Sequence, residues 1–442
     1  MYEMTINNIY EENDDLIGKE MLNFAKKLFP LNRSLMGPDI RLSLQKFIQF
    51  NKEFKIIKFL SGEKVFDWEI PEEWIIRDAY IEHESGKRFA EFKKCNLHLM
   101  GYSIHVDEIM SREKLLKKIN TLPKSPKAVP YVTSYYKRDW GFCLSHDELN
   151  ELPDGNYKVF IDSQHKKGEL NLLEAVIPGK SSKEIFFSSY LCHPSMANNE
   201  LSGPVVLNQI LNLIKNIKDR NYTYRFVLLP ETIGSIAYLS KRINFLKDSM
   251  ICGFNLSCVG DDRSYSHVNS RDEDNLADKA LRAAFIGLEN TFEYSFLDRG
   301  SDERQYCAPG IDLPICTFCR SKFGEYPEYH TNKDNFDLVT SDGLKGSYKL
   351  MKNIIEAFEI GIIPQVMVLG EPQLGKRNMY PNKSQLYEYQ HPAKTTMDII
   401  AYCDSKHTLF DISKKLNIKL SLLIKVINEL KDHNLISAKH IR

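Results

Sequence analysis

Three side chains could do chemistry together: His193, Glu231 and His330. His193 follows the apolar run Ile185-Phe186-Phe187-Ser188-Ser189-Tyr190-Leu191, Glu231 follows Phe226-Val227-Leu228-Leu229-Pro230, and His330 sits in the polar loop Tyr329-His330-Thr331. Two neutral imidazoles with carboxylates form a donor set that zinc accepts, and an open coordination position supplies an activated water. Glu231, in apolar surroundings beside them, would be a proton carrier. Further polar residues stand nearby in the same pattern: Asn199-Glu200, Asp261-Asp262 beyond the strand end Asn255-Leu256-Ser257, and the loop Arg299-Gly300-Ser301-Asp302-Glu303-Arg304-Gln305-Tyr306. Taken singly, each reads as a strand cap or a solvated loop residue. Their recurrence at successive strand ends gives the group weight, because open α/β sheets bind ligands along the carboxyl edge of their strands.

The elements that must position these residues follow from periodicity. Short apolar runs at 170–177, 184–191, 224–229 and 251–256 read as strands, and the helical patterns 203–218, 233–245 and 277–288 alternate with the later ones, as in a doubly wound sheet. Helical patterns at 16–28 and 40–50 and a strand at 54–60 precede a change of texture. Between 67 and 165 come β-like runs at 74–81, 97–104, 128–133 and 157–161, so a β-rich module interrupts the α/β domain. The expected domains are therefore 1–66 plus 166–370 (α/β), 67–165 (inserted) and 378–442, with a Gly, Pro and Asn punctuated linker at 370–383. The last segment shows helices at 396–403, 409–416 and 421–433, with Ser421 as a cap, and Leu435-Ile436-Ser437 starts a wing, a winged-helix layout. Its Lys414, Lys415, Lys419, Lys425 and Lys431 are offset by Asp411, Glu429 and Asp432. Contact with DNA, contact with a protein partner and plain packing all remain open for it.

Composition excludes several classes. Lys plus Arg equals Asp plus Glu at 59 each, so no global charge argues for nucleic acid or a membrane surface. The 43% hydrophobic and 27% charged content is that of a globular protein. No signal peptide or membrane-spanning run is read, which makes a cytoplasmic protein the expectation. Nine cysteines fit reduced thiols better than a disulfide framework, and Cys316-Thr317-Phe318-Cys319 lacks the second pair a zinc ribbon needs. A homo-oligomer is admitted but not indicated.

Together, Cys192-His193-Pro194-Ser195, Asn199-Glu200-Leu201-Ser202-Gly203, Pro230-Glu231-Thr232-Ile233-Gly234-Ser235, Gly300 to Tyr306 and Tyr329-His330-Thr331 resemble the M28-type zinc aminopeptidases. The chain is similar over nearly its whole length to the aminopeptidase-like proteins of the DUF4910 type, with their DUF2172 insert and C-terminal winged helix. That resemblance implies a doubly wound aminopeptidase-like mixed sheet. It places His193 and His330 on metal ligands and Glu231 on the general base. It also exposes departures: Asn199 stands where the family has a bridging aspartate, Thr232 where it has a ligand glutamate, and Ser257 where it has a ligand aspartate. Without those carboxylates a second dication lacks its counter-charge, so one zinc ion is expected. Asn199, Glu200 or Asp261 would complete its shell.

The resulting expectation is a metal-dependent hydrolase acting on a peptide or acyl-amide, with Asp302, Arg304 and Tyr329 contacting substrate. Two alternatives stand beside it. One is a catalytically weakened ligand sensor acting through the winged helix on DNA or a protein. The other, implied by the resemblance alone, is an accessory protein of polysaccharide biosynthesis.

Overall fold

The computed structural model describes residues 14–377, 379 and 392–441. The expected linker lies outside the described residues from 378 onward, Met379 apart, and so does the amino terminus through residue 13. The core is an eight-stranded mixed sheet in the spatial order Lys55–Leu60, Glu169–Ile177, Thr223–Leu229, Glu184–Tyr190, Met250–Leu256, Ile315–Cys319, Tyr265–Val268, Thr291–Tyr294. Its central four strands run parallel, and antiparallel strands join on both sides. Glu184–Tyr190 is buried at every position, which is why it reads as a continuous apolar run and not an alternating one.

Side chains alternate across the sheet into two apolar clusters. Ile185 and Phe187 face the helices Asp14–Leu28, Ser202–Asn216 and Ser341–Ile360, whereas Phe186 faces Ile233–Ser249 and a second sheet. That second sheet, in the order Arg88–Phe89, Glu73–His83, Asn156–Lys166, Val106–Ser111, is built from chain between Lys55–Leu60 and Glu169–Ile177. Those two flanking strands are antiparallel neighbours, so the chain leaves and re-enters the large sheet at adjacent points.

Two of the expected β-like runs are not strands. Around residues 97–104 a short 3-10 turn, Asn96–His98, and a positive φ at Tyr102 interrupt any ladder, and residues 128–133 make only isolated bridges. Val106–Ser111 supplies the strand instead; most of its residues are exposed, so it carries little apolar signal.

The C-terminal unit consists of helices Pro392–Ala401, Leu409–Leu416 and Leu420–Asp432 and strand Ile436–Lys439. Ser421 does not cap its helix, whose N-cap is Lys419 and has no side-chain cap bond, whereas Thr408 makes a full capping box for Leu409–Leu416. Ile436–Lys439 pairs with Ile363–Val366, directly after the helix Ser341–Ile360. Leu423, Ile427 and Leu430 join the same apolar cluster as Ile354 and Phe358, so the winged helix is packed onto the α/β unit by a continuous core.

Candidate functional site

The parallel register that sets Tyr190 opposite Leu229 brings the residues beyond both strands out side by side. Leu191 N donates to Leu229 O at 2.8 Å, and Glu231 N donates to Cys192 Sγ at 3.3 Å. His193 Nε2 then lies 3.8 Å from Glu231 Oε2. After Glu231 the chain turns into the helix Ile233–Ser249 through Thr232, at φ 65° and ψ −76°. A threonine in that conformation costs about 1–3 kcal/mol, which the surroundings must offset. Asp302 does so: its Oδ1 accepts from Thr232 N and Ser235 Oγ, both at 2.8 Å. Ser195, Cys258 and His330 on the same rim also have positive φ.

The second histidine arrives from a loop. Asp334 folds this loop onto the turn after His193, accepting from the amides of Ala197, Asn198 and Asn199 and from Tyr326 Oη. The His330 ring lies 5.4 Å from that of His193, and Tyr329 stacks on it at 4.0 Å. Gly203 lets the following helix, Ser202–Asn216, approach the strand ends, since a Cβ there would overlap Ser189 Oγ and Leu256 O.

His193 is held from behind. Its Nδ1 is 3.0 Å from Glu200 Oε2, and Glu200 Oε1 accepts from Arg33 Nε at 3.3 Å. Arg33 Nη1 also donates to Leu28 O at 2.5 Å. A carboxylate accepting from Nδ1–H fixes the ring orientation and leaves Nε2 facing Glu231, so Nε2 is the nitrogen that would hold a cation after losing its proton. Arg33 and Glu200 are both fully buried, and burial lowers the guanidinium's pKa in spite of Glu200.

Burial also sets the protonation of the rest. It would lower the His193 pKa, but Cys192 and Glu200 carry it well above the ordinary imidazole value. Burial pushes the Cys192 thiol up to about 11, so the thiol is neutral. Burial, then the nearby His193, drops His330 to about 3, leaving a neutral imidazole. Glu231 is raised by burial against the opposing pull of His193 and Arg304. Asp302 is raised to about 7 by burial and by the Glu231 charge, and its Oδ2 has no partner.

Around Asn199 and Ser257 the side chains form a neutral network. Tyr190 Oη donates to Asn199 Oδ1 at 2.5 Å and lies 2.8 Å from Ser257 Oγ, and Cys258 Sγ reaches the same Asn199 oxygen at 3.5 Å. Asn199 Nδ2 is buried without a partner. Asp261 binds Ser321, Asn198 and the Arg263 amide, which leaves it a structural part. Among the described residues two buried groups have metal-ligand composition: Cys192, His193 and Glu200, and a separate one of His267, Asp278 and Cys316. In the latter Asp278 is committed to capping Leu276–Phe285 and to His267 and Ser270.

The expected site residues thus gather at one rim: His193, Glu231, His330, Tyr329, Asn199 and Glu200. Arg304 reaches it through Thr232 Oγ1 at 2.6 Å, and Asp302 lies beneath the turn, fully buried. Sequence reasoning missed Arg33, Tyr131 and Tyr190. Tyr131, from the stretch between the second-sheet strands Val106–Ser111 and Asn156–Lys166, packs its ring 5.1 Å from that of His193 and 5.2 Å from that of His330.

A family model described as a domain of unknown function, DUF4910, matches residues 22–361. The chain belongs to the DUF4910 family. In this DUF4910 protein residues 362–438 match a winged helix-turn-helix model. The chain is 36% identical over 414 residues, 92% of its length and 94% of the relative's, to a Clostridium acetobutylicum protein named for polysaccharide biosynthesis and an aminopeptidase-like domain. A crystal structure of a Clostridium acetobutylicum protein described as a peptidase superposes with a TM-score of 0.88 at 33% identity, covering 98% of both chains. BSAP, a zinc aminopeptidase from Bacillus subtilis, shares the fold at a TM-score of 0.56 and 12% identity, with 78% of this chain and 94% of that chain covered. The fold is aminopeptidase-like, and no helix among the described residues is long and apolar enough to cross a membrane.

Proposed function

We propose that this DUF4910 protein is a metal-dependent hydrolase of aminopeptidase type that holds one zinc ion and cleaves a peptide or acyl-amide bond. The observation that carries the reading is the convergence of His193 Nε2, Glu231 and the neutral His330 at one strand edge, with His193 and Glu231 3.8 Å apart. The donor set fits one ion: His193 and His330 offer nitrogen, and Asn199, whose Nδ2 has no partner, could turn its amide to present oxygen by giving up the bond its Oδ1 accepts from Tyr190 Oη. The neutral contacts among Tyr190, Asn199 and Ser257 do not fit a second dication, which needs negative charge. Glu200, already committed to Arg33 and to His193 Nδ1, positions the imidazole from behind.

His193 and His330 would hold the zinc ion, which when bound would polarise a substrate carbonyl and lower the pKa of a water. Glu231, with its side chain 20% exposed and its pKa raised, takes the proton of the attacking water and passes it to the leaving amine. The Thr232 turn, anchored by Asp302, keeps Glu231 against His193. Arg304 and Tyr329 stand at the mouth, where Arg304 presents a donor to a substrate carboxylate or carbonyl. Hydrolysis of a panel of aminoacyl and N-acyl amides by the wild type, lost in Glu231→Gln, tests the reading; equal rates in both would refute it.

The neutral Tyr190 network favours a second reading, a ligand-binding protein with weakened catalysis, and the mention of polysaccharide biosynthesis in the name of the Clostridium acetobutylicum relative supports a role of that kind. On that reading the winged helix acts on a partner. The outer face of Leu420–Asp432 exposes Leu422, Lys425, Glu429 and Asp432, a mixed charge poorly suited to phosphate contact. A DNA shift assay across salt concentrations separates the readings, since specific binding survives salt that abolishes nonspecific contact.

A further inference from the structure

We propose that Tyr131 is the specificity-determining wall of this site: with it, the module of the second sheet closes the cleft beyond the two imidazoles and confines it to compact amide substrates entering past Glu231, Thr232 and Arg304. The inference rests on the hydrolase reading for its substrate and on geometry alone for the closure.

The rings of Tyr131, His193 and His330 form a triangle with sides of 5.1, 5.2 and 5.4 Å between centroids. Rings at that spacing are in contact, so a substrate group has no passage between them. His193 is 3% exposed; Glu231, Thr232, His330 and Tyr131 are half-buried, and Arg304 beyond Thr232 is exposed. The Tyr131 ring therefore ends the cleft at the imidazoles, and the exposed Arg304 marks its open side.

The wall is fixed at both of its faces. On the site side, residues 129–131 are strapped to the loop that carries His330: Tyr131 N donates to His330 O at 2.8 Å, Val129 N to Asn332 Oδ1 at 2.9 Å, and Asn332 N to Val129 O at 3.0 Å. On the far side, Tyr131 Oη meets Tyr135 Oη at 3.0 Å, and the Tyr135 ring packs on Tyr102 at 5.4 Å. Tyr102 in turn stacks on Trp74 at 5.7 Å, and Trp74 belongs to the strand Glu73–His83. The hydroxyl is thus tied to Tyr135 while the ring faces the imidazoles. The role falls to the ring, which phenylalanine reproduces and alanine removes. It also gives the second sheet a part in the chemistry that its distance along the chain from Glu231 conceals.

Diethyl pyrocarbonate labelling of the full chain, before and after metal removal with EDTA, reads the closure through acylation of His193 and His330 measured by peptide mass spectrometry. The expected result is slow labelling in wild type and Tyr131→Phe and severalfold faster labelling in Tyr131→Ala. Asn332→Ala, which loosens the strap and leaves the ring in place, is expected to accelerate His330. In parallel, kcat/KM for bulky relative to small aminoacyl naphthylamides rises in Tyr131→Ala. Equal labelling of His193 in wild type and Tyr131→Ala, at unchanged circular dichroism and melting, overturns the proposal. If the wild type cleaves no amide at all the hydrolase reading falls, and the labelling still decides whether Tyr131 closes the cleft.

Discussion

Arg33→Met should be costly out of proportion to anything its own packing supplies. The guanidinium and Glu200 are both fully buried at 3.3 Å, and burial depresses the Arg33 pKa even with Glu200 beside it, so the pair is no net reservoir of stability. Removing one partner is a different matter, because it leaves the Glu200 carboxylate in the interior with only His193 Nδ1 beside it, a loss of up to about 3–5 kcal/mol. Part of that loss belongs to the hydrogen bond from Arg33 to Leu28 O, about 1.5–3 kcal/mol for a bond involving a charged group. The rest belongs to Glu200. Urea unfolding of the wild type, Arg33→Met, Glu200→Gln and the double variant separates the two. The double variant should be more stable than Arg33→Met alone, since the stranded carboxylate is gone. Zinc affinity should fall about 10–100-fold in Glu200→Gln, the usual loss when the group behind a metal-binding histidine is changed. Additive stabilities in the cycle, together with unchanged zinc affinity, would refute the view that Arg33 acts on His193 through Glu200.

Other expectations follow from the same geometry. Glu231→Gln should lower kcat by about 10²–10⁴-fold, the usual contribution of a general base, while leaving zinc content unchanged by elemental analysis. Asp302, with its carboxyl pushed up to about 7, holds a proton in the folded chain that the unfolded chain releases near the ordinary carboxylate value. Its contribution to stability is therefore present below that ordinary value and is lost as pH rises toward 7; urea midpoints at acid and neutral pH should differ less in Asp302→Asn than in wild type. Gly203→Ala forces a Cβ into Ser189 Oγ and the Leu256 carbonyl, and overpacking of this kind costs about 1–3 kcal/mol, readable as a lowered melting temperature.

What the sequence discloses and what it hides divides along the range of the interactions. His193 and Glu231 are legible because a fully buried parallel strand is a local pattern, and the residue that ends it is the one delivered to the sheet edge. The helices of the α/β unit and the Thr408 capping box are local in the same way. Arg33 is not legible, since its partner Glu200 lies 167 positions away and nothing beside it in the chain predicts burial. Tyr131 is hidden for a second reason: its segment has no regular ladder, and it is placed by bonds to the His330 loop. The strand Val106–Ser111 escapes notice because its outer face is solvated and its apolar content low. Asn199, Thr232 and Ser257 are visible as departures from the resemblance, but the neutral network that Tyr190 makes with Asn199 and Ser257 requires coordinates.

The central claim is that His193 and His330, brought together from distant parts of the chain, hold a single zinc ion. Elemental analysis of the purified full chain and of its His193→Ala and His330→Ala variants tests it most directly. The account predicts one zinc ion per chain in the wild type and its loss from each variant at unchanged circular dichroism. A second tightly held ion in the wild type, or zinc retained in both variants, would contradict it.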